Sequence, residues 1–123
     1  MGDFKKLDVW RKAHELALQA HRVATRIRGA QYLSLRSQII RAAMSIPANI
    51  VEGRAKKSER DFGRFLGYAL ASTSELEYHL IVARDICVVS EEEFQLLLGR
   101  LLQVRKMLHG LLNCLSTTPP AKA

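Results

Sequence analysis

The chain has 123 residues, of which 48% are hydrophobic, and it carries 19 lysines and arginines against 12 aspartates and glutamates. This length fits one domain with a core of its own, and this hydrophobic fraction excludes a largely disordered protein. The N-terminal residues lack the apolar segment of a signal peptide, and no apolar run reaches the roughly 18 residues that a membrane span needs. We therefore expect a soluble protein of the cytoplasm with no membrane partner.

Apolar residues recur at the spacing of an α-helix through most of the chain, and no stretch keeps the two-residue alternation of a strand. In the first helical segment, for example, Val9, Leu16 and Val23 lie on one stripe. The sequence therefore predicts an all-α fold. Its four helices are expected at about residues 8–28, 34–53, 59–87 and 91–115.

The predicted helix ends depend on residues that start or stop helices. Gly29 ends the first helix, and Ser34 is expected to cap the N-terminus of the second. Ser58 and Ser90 each begin a Ser-x-x-acid sequence, the pattern of a capping box, at the start of the third and fourth helices. The fourth helix also begins with three glutamates, which the positive end of the helix dipole stabilises.

Short connections make consecutive helices antiparallel neighbours, so we expect an up-down-up-down antiparallel four-helix bundle over residues 1–116. Residues 117–123, which include two prolines, are expected to form a disordered C-terminal tail. The first and fourth helices carry more apolar residues than one core needs. They indicate a surface for self-association, and ordinary scattered apolar side chains are the alternative. These residues are Trp10, Leu18, Leu96, Leu102 and Leu112.

The sequence SIPANIVEG, residues 45–53, places Pro47 inside the second predicted helix. A proline there removes one backbone donor and crowds the carbonyl of Ala43, at a cost of about 3 kcal/mol. We expect this helix to be kinked at Pro47. The side chain of Asn49 is expected to bond the carbonyl that the proline leaves without a donor.

Polar residues recur at matching spacing on the second and third helices. We expect them to form one buried hydrogen-bond network that fixes how these two helices pair. A ligand-binding pocket at the same place is the alternative. The residues of this network are Ser45, Asn49 and Glu52, beside Pro47, on the second helix and Ser72 and Glu75 on the third, with Tyr68 and His79 at the same spacing.

Side chains with catalytic or metal-binding chemistry are few. Glu75 and His79 form a single i, i+4 pair, without the second copy that a di-iron bundle needs, and no Gly-x-Ser-x-Gly motif occurs. Cys87 and Cys114 form no CxxC pair and are expected to be reduced and mostly buried. We expect no metal, no cofactor and no enzymatic activity.

Three small residues, Gly63, Gly67 and Ala71, recur every four positions in the third helix. Small residues at this spacing form a smooth stripe that lets a second helix approach closely. They lie inside a predicted helix rather than in a loop, so they do not indicate a phosphate-binding turn. We interpret them as packing residues.

The positive charge lies in the first half of the chain: residues 1–60 have 13 basic and 5 acidic side chains, and residues 61–123 have 6 and 7. A basic surface attracts nucleic acid or an acidic protein. No aromatic residue interleaves with the basic clusters, so we expect recognition of charge and shape rather than base stacking. A solvated charged turn is the alternative. The candidate phosphate-contacting residues are Arg54, Lys56, Lys57, Arg60 and Arg64 near the connection of the second and third helices, and Arg22, Arg26 and Arg28 near the end of the first.

The sequence SIPANIVEG, followed by Ser58 and by STSELE at 72–77, resembles a bacterial four-helix-bundle family whose founding members are encoded in intervening sequences of 23S ribosomal RNA genes. The sequences LDVWRKA at 7–13 and QIIRAA at 38–43 are similar to the same family, so the resemblance covers about residues 4–115. The wider family includes the accessory variability proteins of diversity-generating retroelements. The resemblance implies a homopentameric ring of bundles without enzymatic activity.

Three hypotheses on function follow. The first is a non-enzymatic homo-oligomer that binds RNA or DNA through its basic half; for the retroelement branch, the resemblance also implies binding to a reverse transcriptase. The second is a protein–protein scaffold, encoded in a 23S ribosomal RNA intervening sequence, that binds no nucleic acid and uses the surplus apolar faces. The third is an enzyme with a metal or small molecule in the bundle core. The resemblance determines the fold better than the function.

Overall fold

A computed structural model gives the structure of residues 3–116. In this range all regular structure is helical, which confirms the predicted all-α class, and no described helix is long and apolar enough to cross a membrane. The tail predicted at 117–123 lies outside the described residues. The four long helices are α1 (Asp8–Thr25), α2 (Leu33–Arg54), α3 (Glu59–Asp85) and α4 (Glu91–Ser116), and short 3-10 turns span Phe4–Lys6 and Ala30–Tyr32.

Each long helix packs against two others, since α1 and α3 both contact α2 and α4. The guanidinium of Arg84, at the end of α3, lies 4.3 Å from the ring centroid of Phe94, near the start of α4. Arg26, which follows α1, forms an ion pair with Glu93 near the start of α4. Contacts between the end of one helix and the start of another are those of antiparallel neighbours. The arrangement is consistent with the predicted four-helix bundle.

One apolar stripe from each long helix forms the core. The stripes repeat every three or four residues, the spacing that places side chains on one face of a helix. Burying one leucine or isoleucine side chain contributes about 1.5–3 kcal/mol, so these stripes are the main favourable term in folding. The largest fully buried side chains are Phe62, Leu16, Ile39, Ile46, Ile50, Leu66, Leu76, Leu80, Leu97, Leu101, Leu108 and Val104.

Two of the three predicted N-caps are present. The hydroxyl of Ser58 accepts a hydrogen bond from the backbone N–H of Asp61 at 3.1 Å, and the hydroxyl of Ser90 accepts one from the N–H of Glu93 at 3.1 Å. The third prediction was wrong, because Ser34 lies inside α2 rather than before it. The 3-10 turn at Ala30–Tyr32 continues directly into the helix, so α2 begins at Leu33 without a side-chain cap.

The connection from α1 to α2 is fixed by one arginine and one glycine. Helix α1 ends at Thr25, three residues earlier than predicted. The guanidinium of Arg36 donates to the carbonyls of Ile27 and Gly29 at 2.8 and 2.9 Å, which holds the chain after α1 against α2. Gly29 has a φ of 112°, a conformation that glycine adopts at little cost.

Helix α3 ends in a left-handed residue that is not glycine. Cys87 has a φ of 66°, and the N–H of Val88 donates to the carbonyl of Ala83 at 3.0 Å, as in a Schellman turn. This turn projects Cys87 from the end of the bundle, where it is exposed. Cys114 is exposed as well, so the expectation that both thiols are mostly buried was wrong. Both residues lie outside the apolar stripes that fill the core.

Pro47 lies inside an α2 that extends without interruption from Leu33 to Arg54. Its ring is buried, and it lines a groove between α2 and α1. Burial of the ring offsets part of the cost of the missing N–H, because the proline ring contributes apolar packing. The kink at Pro47 stays a prediction.

Gly53 lies where the end of α2 meets the start of α3. A Cβ atom on this buried residue would lie 2.8 Å from the Cβ of Phe65 and 3.0 Å from Cδ1 of Phe62, so only glycine allows this approach. The predicted stripe of small residues makes no such contact. Among the described residues, a Cβ at Gly67 would meet nothing within 4 Å, and one at Gly63 only α4 leucines at 3.7 and 3.8 Å. The close approach expected at the stripe was therefore wrong for a single chain.

Alanine at positions 53 and 67 should have opposite effects on stability. Gly53→Ala should lower the free energy of unfolding by about 1–2 kcal/mol, because α2 must move away from α3 to admit the methyl group. Gly67→Ala should raise it by up to about 1 kcal/mol, because the space is open and alanine is the better helix former. Thermal unfolding followed by far-ultraviolet circular dichroism measures both changes. A stabilised Gly53→Ala variant would contradict the close approach.

Candidate nucleic-acid interface

The connection between α2 and α3 brings five cations to one end of the bundle. We call this group, Arg54, Lys56, Lys57, Arg60 and Arg64, the basic turn. Lys57, Arg60 and Arg64 are exposed, whereas Arg54 and Lys56 are half-buried. Because α2 ends at Arg54 and α3 begins at Glu59, the five side chains come from the last turn of one helix, a short loop and the first two turns of the next.

Aromatic rings of α3 lie directly under these cations. The guanidinium carbon of Arg54 lies 5.6 Å from the ring centroid of Phe62, and Nζ of Lys56 lies 5.1 Å from that of Phe65. Arg64, the residue directly before Phe65 in α3, also lies 5.1 Å from the centroid of this ring. The expectation that no aromatic residue interleaves with the basic clusters was therefore wrong. Phe62 already lies between Arg60 and Arg64 in the sequence, and the return of α3 along α2 also places rings beside Arg54 and Lys56.

Arg64 connects this group to an exposed ring. Its guanidinium lies 5.9 Å from the ring centroid of Tyr68, and Nη1 donates to the tyrosine hydroxyl at 3.4 Å. This hydrogen bond, with a smaller contribution from the carboxylate of Asp61, raises the pKa of Arg64 above its ordinary value. Arginine is already a cation at physiological pH, so this contact favours the charge that Arg64 carries in any case. Tyr68 is 46% exposed, so a cation and an aromatic face lie side by side at the surface.

The cations of the basic turn are only partly neutralised. Residues 52–64 contain five basic and three acidic side chains. One of the three acids, Asp61, lies 3.4 Å from Arg64, and the other two, Glu52 and Glu59, are exposed. Within the part of the chain that the structure describes, Lys57 and Arg60 form no ion pair. Exposed cations that are not already paired can exchange their hydration for phosphate oxygens.

The second predicted cluster, Arg22, Arg26 and Arg28, lies at the opposite end of the bundle. Helix α2 separates the two ends by its 22 residues, or about 33 Å. All three arginines are exposed, and Arg26 is paired with Glu93. A small cleft between α1 and α4 brings Arg22 and Arg26 near Arg100, which the sequence analysis did not single out. One chain therefore does not join the two clusters into a single surface.

The predicted polar residues meet in part. The hydroxyl of Ser45 donates to that of Ser72 at 2.6 Å, and Ser72 donates to the carbonyl of Tyr68 at 3.1 Å. Glu52 is exposed and lies apart from this contact. The amide of Asn49 donates to the carbonyl of Ser45 at 2.8 Å, not to that of Ala43 as expected. A helical side chain reaches back one turn, and Ala43 is six residues before Asn49.

Glu75 belongs to a separate contact on the surface of α2 and α3. Arg41 donates to its carboxylate at 2.8 Å, and Nε2 of His79 lies 3.4 Å from the same oxygen. In residues 3–116 no three histidine, cysteine or acidic side chains are grouped as a metal site would require. The sequence analysis did not include Arg41 in the network, although it lies four residues before Ser45 and so continues the polar stripe of α2. It also missed Arg105, a half-buried residue of α4 that donates to Glu77 of α3 at 2.7 Å.

An apolar groove of about 380 Å³ lies between α1 and α2. Leu18 of α1 and Met44 of α2 are exposed at 45% and 53% on this surface. Pro47 forms part of the groove, together with the rings of His14 and His21. Exposed apolar side chains concentrated in one groove are typical of a surface that binds another protein.

These features define a class: a small all-helical bundle with a basic turn at one end and an apolar groove along one side. The chain belongs to the family of 23S rRNA-intervening sequence proteins, whose family model matches residues 5–110. This confirms the resemblance to that family. The chain is similar to a protein of unknown function from the S23 ribosomal protein family of Bacteroides thetaiotaomicron. That crystal structure has 26% sequence identity and a TM-score of 0.80, over 85% of this chain and 97% of that chain. No curated protein matches the chain significantly.

The hydroxyl pair of Ser45 and Ser72 should couple α2 to α3. Ser45→Ala and Ser72→Ala should each lower the free energy of unfolding by about 1 kcal/mol, because each removes the hydrogen bond between the two hydroxyls. The serine that remains keeps its backbone acceptor, the carbonyl of Ala42 for Ser45 and that of Tyr68 for Ser72. The double variant should lose less than the sum of the two, since both changes remove the same hydrogen bond. Urea denaturation of the natural chain, the two single variants and the double variant measures the free energies of unfolding that the comparison needs. Glu52→Gln is the control, and it should change the free energy of unfolding by less than about 0.5 kcal/mol. Strictly additive losses would contradict the coupling.

Proposed function

We propose that this protein is a non-enzymatic, homo-oligomeric bundle that binds RNA or DNA through the basic turn. The observation that carries the proposal is the group of cations between Arg54 and Arg64, three of them exposed, on a rigid connection of two helices. Phosphate contacts need accessible cations at a fixed surface and no particular sequence motif. The uneven charge of the chain, with its excess in residues 1–60, supports the same conclusion.

The rings under the cations make this surface better suited to phosphate than a flexible charged loop. Lysine and arginine side chains lose considerable rotamer freedom when they bind. Lys56 and Arg64 are already held against Phe65, so part of that entropy is lost in folding rather than in binding. The fixed positions also favour one path for the phosphate backbone over others.

The second part of the proposal is self-association. We propose that a second copy of this chain occupies the apolar groove. The groove lies on α1 and α2, in the basic half, whereas Leu96 and Leu102 are exposed on α4, in the half without excess positive charge. An exposed apolar side chain of one copy can enter the groove of the next. Contacts between two different faces generate a ring where the rotation closes. A pentamer is the ring that the family resemblance implies.

The resemblance to accessory variability proteins adds a reverse transcriptase as a proposed protein partner. The alternative function is a scaffold that binds proteins and no nucleic acid, which the apolar groove favours. Nuclease treatment distinguishes these two functions, because it separates the protein only from partners that are held through nucleic acid. Nuclease treatment should release partners held through nucleic acid, and it should leave a direct protein complex intact.

Reversing two exposed charges should weaken nucleic-acid binding without unfolding the protein. In the variant Lys57→Glu, Arg60→Glu, the affinity for a labelled oligonucleotide should fall by more than about tenfold. The slope of log affinity against log salt should fall by about two, because about two phosphate contacts are lost. Fluorescence anisotropy at several salt concentrations measures both quantities.

The matched control for this experiment is Arg22→Glu, Arg28→Glu, at the other end of the bundle, which should bind nearly as well as the natural chain. Equal loss in both pairs would indicate a general charge effect rather than a site. Absence of binding by the natural chain at low salt would overturn the nucleic-acid proposal and favour the scaffold.

A charge placed in the groove should dissociate the oligomer. Met44→Glu buries a carboxylate at the proposed contact, so we expect a monomer in size-exclusion chromatography with light scattering. Leu33→Glu is the control, because Leu33 is 61% exposed at the start of α2 and does not line the groove. If Met44→Glu keeps the mass of the natural assembly, the groove is not the contact between copies.

A further inference from the structure

We propose that the basic turn selects single-stranded nucleic acid over duplex, with an unpaired base stacked on Tyr68. This inference rests on the proposed function and names the kind of nucleic acid that the site takes. It departs from the sequence-based expectation of recognition by charge and shape alone. The ring of Tyr68 is a binding surface in this proposal, and the neighbouring cations hold the phosphates.

Arg60, Arg64 and Tyr68 form one exposed stripe along α3. They are four residues apart, so successive side chains lie about 6 Å apart along the helix axis on nearly the same face. Two cations therefore lead along the helix to one aromatic face. A strand that follows this stripe places phosphates at the arginines and the next base at the ring. Surfaces that combine a basic path with aromatic rings bind single strands in this way.

Tyr68 is the ring of the cluster that is open to a base. The Phe65 ring is half-buried, and it already has the cations of Lys56 and Arg64 within 5.1 Å of its centroid. Tyr68 is 46% exposed and meets Phe65 edge to face, with centroids 5.3 Å apart. The hydrogen bond from Arg64 to its hydroxyl fixes the other end of the ring. A fixed, exposed ring loses little entropy when a base stacks on it.

Duplex nucleic acid does not offer the same contact, because its bases are already stacked on one another and paired. A duplex can still place phosphates against the basic turn. The difference between the affinities for single strand and for duplex therefore separates the contribution of base stacking from that of charge. Stacking of one base on an aromatic side chain corresponds to about a five- to 150-fold change in affinity.

Helix α3 supplies a matched control in Tyr78. This tyrosine is 62% exposed and lies ten residues beyond Tyr68, or about 15 Å along the same helix. Its aromatic neighbour is His79, with centroids 5.8 Å apart. In residues 3–116 no lysine or arginine lies over the Tyr78 ring. The two tyrosines therefore lie on the same helix and are both exposed, and they differ in whether a cation lies over the ring.

The experiment measures the affinity of the full chain for a labelled thymidine 20-mer and for the same strand paired with its adenosine complement, by anisotropy at one low salt concentration. We expect the natural chain to favour the single strand. Tyr68→Leu should weaken single-strand binding by about tenfold and change duplex binding less than twofold. Tyr68→Trp should restore single-strand binding, and Tyr78→Leu should change neither affinity. Circular dichroism confirms that each variant is folded.

The outcomes separate this inference from the proposed function. If the single strand and the duplex bind equally and Tyr68→Leu has no effect, while Lys57→Glu, Arg60→Glu still weakens both, base stacking is wrong and the proposed function holds. If Tyr68→Leu and Tyr78→Leu weaken binding equally, the effect is not specific to the basic turn and the inference is overturned. If neither nucleic acid binds, the proposed function and the inference both fail.

Discussion

The close contact between the end of α2 and the start of α3 is the constraint on which the basic surface depends. Gly53 allows this contact, because any larger residue would place a Cβ atom 2.8 Å from that of Phe65. The approach carries Arg54 and Lys56, which belong to α2 and the loop after it, over rings that belong to α3. Cations that pack on rings are held in few rotamers and keep their charge at the surface. One glycine thus converts a basic sequence into an ordered basic surface.

The length of the bundle divides the positive charge into two separate groups. Arg28 and Lys57 lie at opposite ends, about 33 Å apart along α2, so a single chain presents each group as a separate small basic surface. Repetition of one weak site in an oligomer raises the effective affinity without any new contact. The family and its relative of unknown function define the fold, and a fold supports many functions. Support for nucleic-acid binding as the proposed function therefore comes from the residues of this chain.

Features that depend on neighbours in sequence were predicted well. The periodic apolar stripes and the capping boxes at Ser58 and Ser90 are local patterns, and the helices formed where those patterns indicated. The start of α2 was predicted one residue late because a 3-10 turn continues into it, a feature that capping rules do not include. Glu52 shares the spacing of Ser45 and Asn49, but it is exposed, because spacing assigns a face and not the partner opposite it.

The sequence by itself determined the all-helical class, the four helices, their buried stripes and the excess of positive charge in the first half. It contained the aromatic residues of α3 as well, and it placed Arg64 and Tyr68 on one face of that helix, but the contact of the rings with Arg54 and Lys56 depends on how α3 returns along α2. Only the tertiary structure decided that Phe62 lies under Arg54 and that Phe65 lies under Lys56. The physical reason is that helix formation follows from local spacing, whereas contact between a cation and a ring requires two segments to pack at one distance.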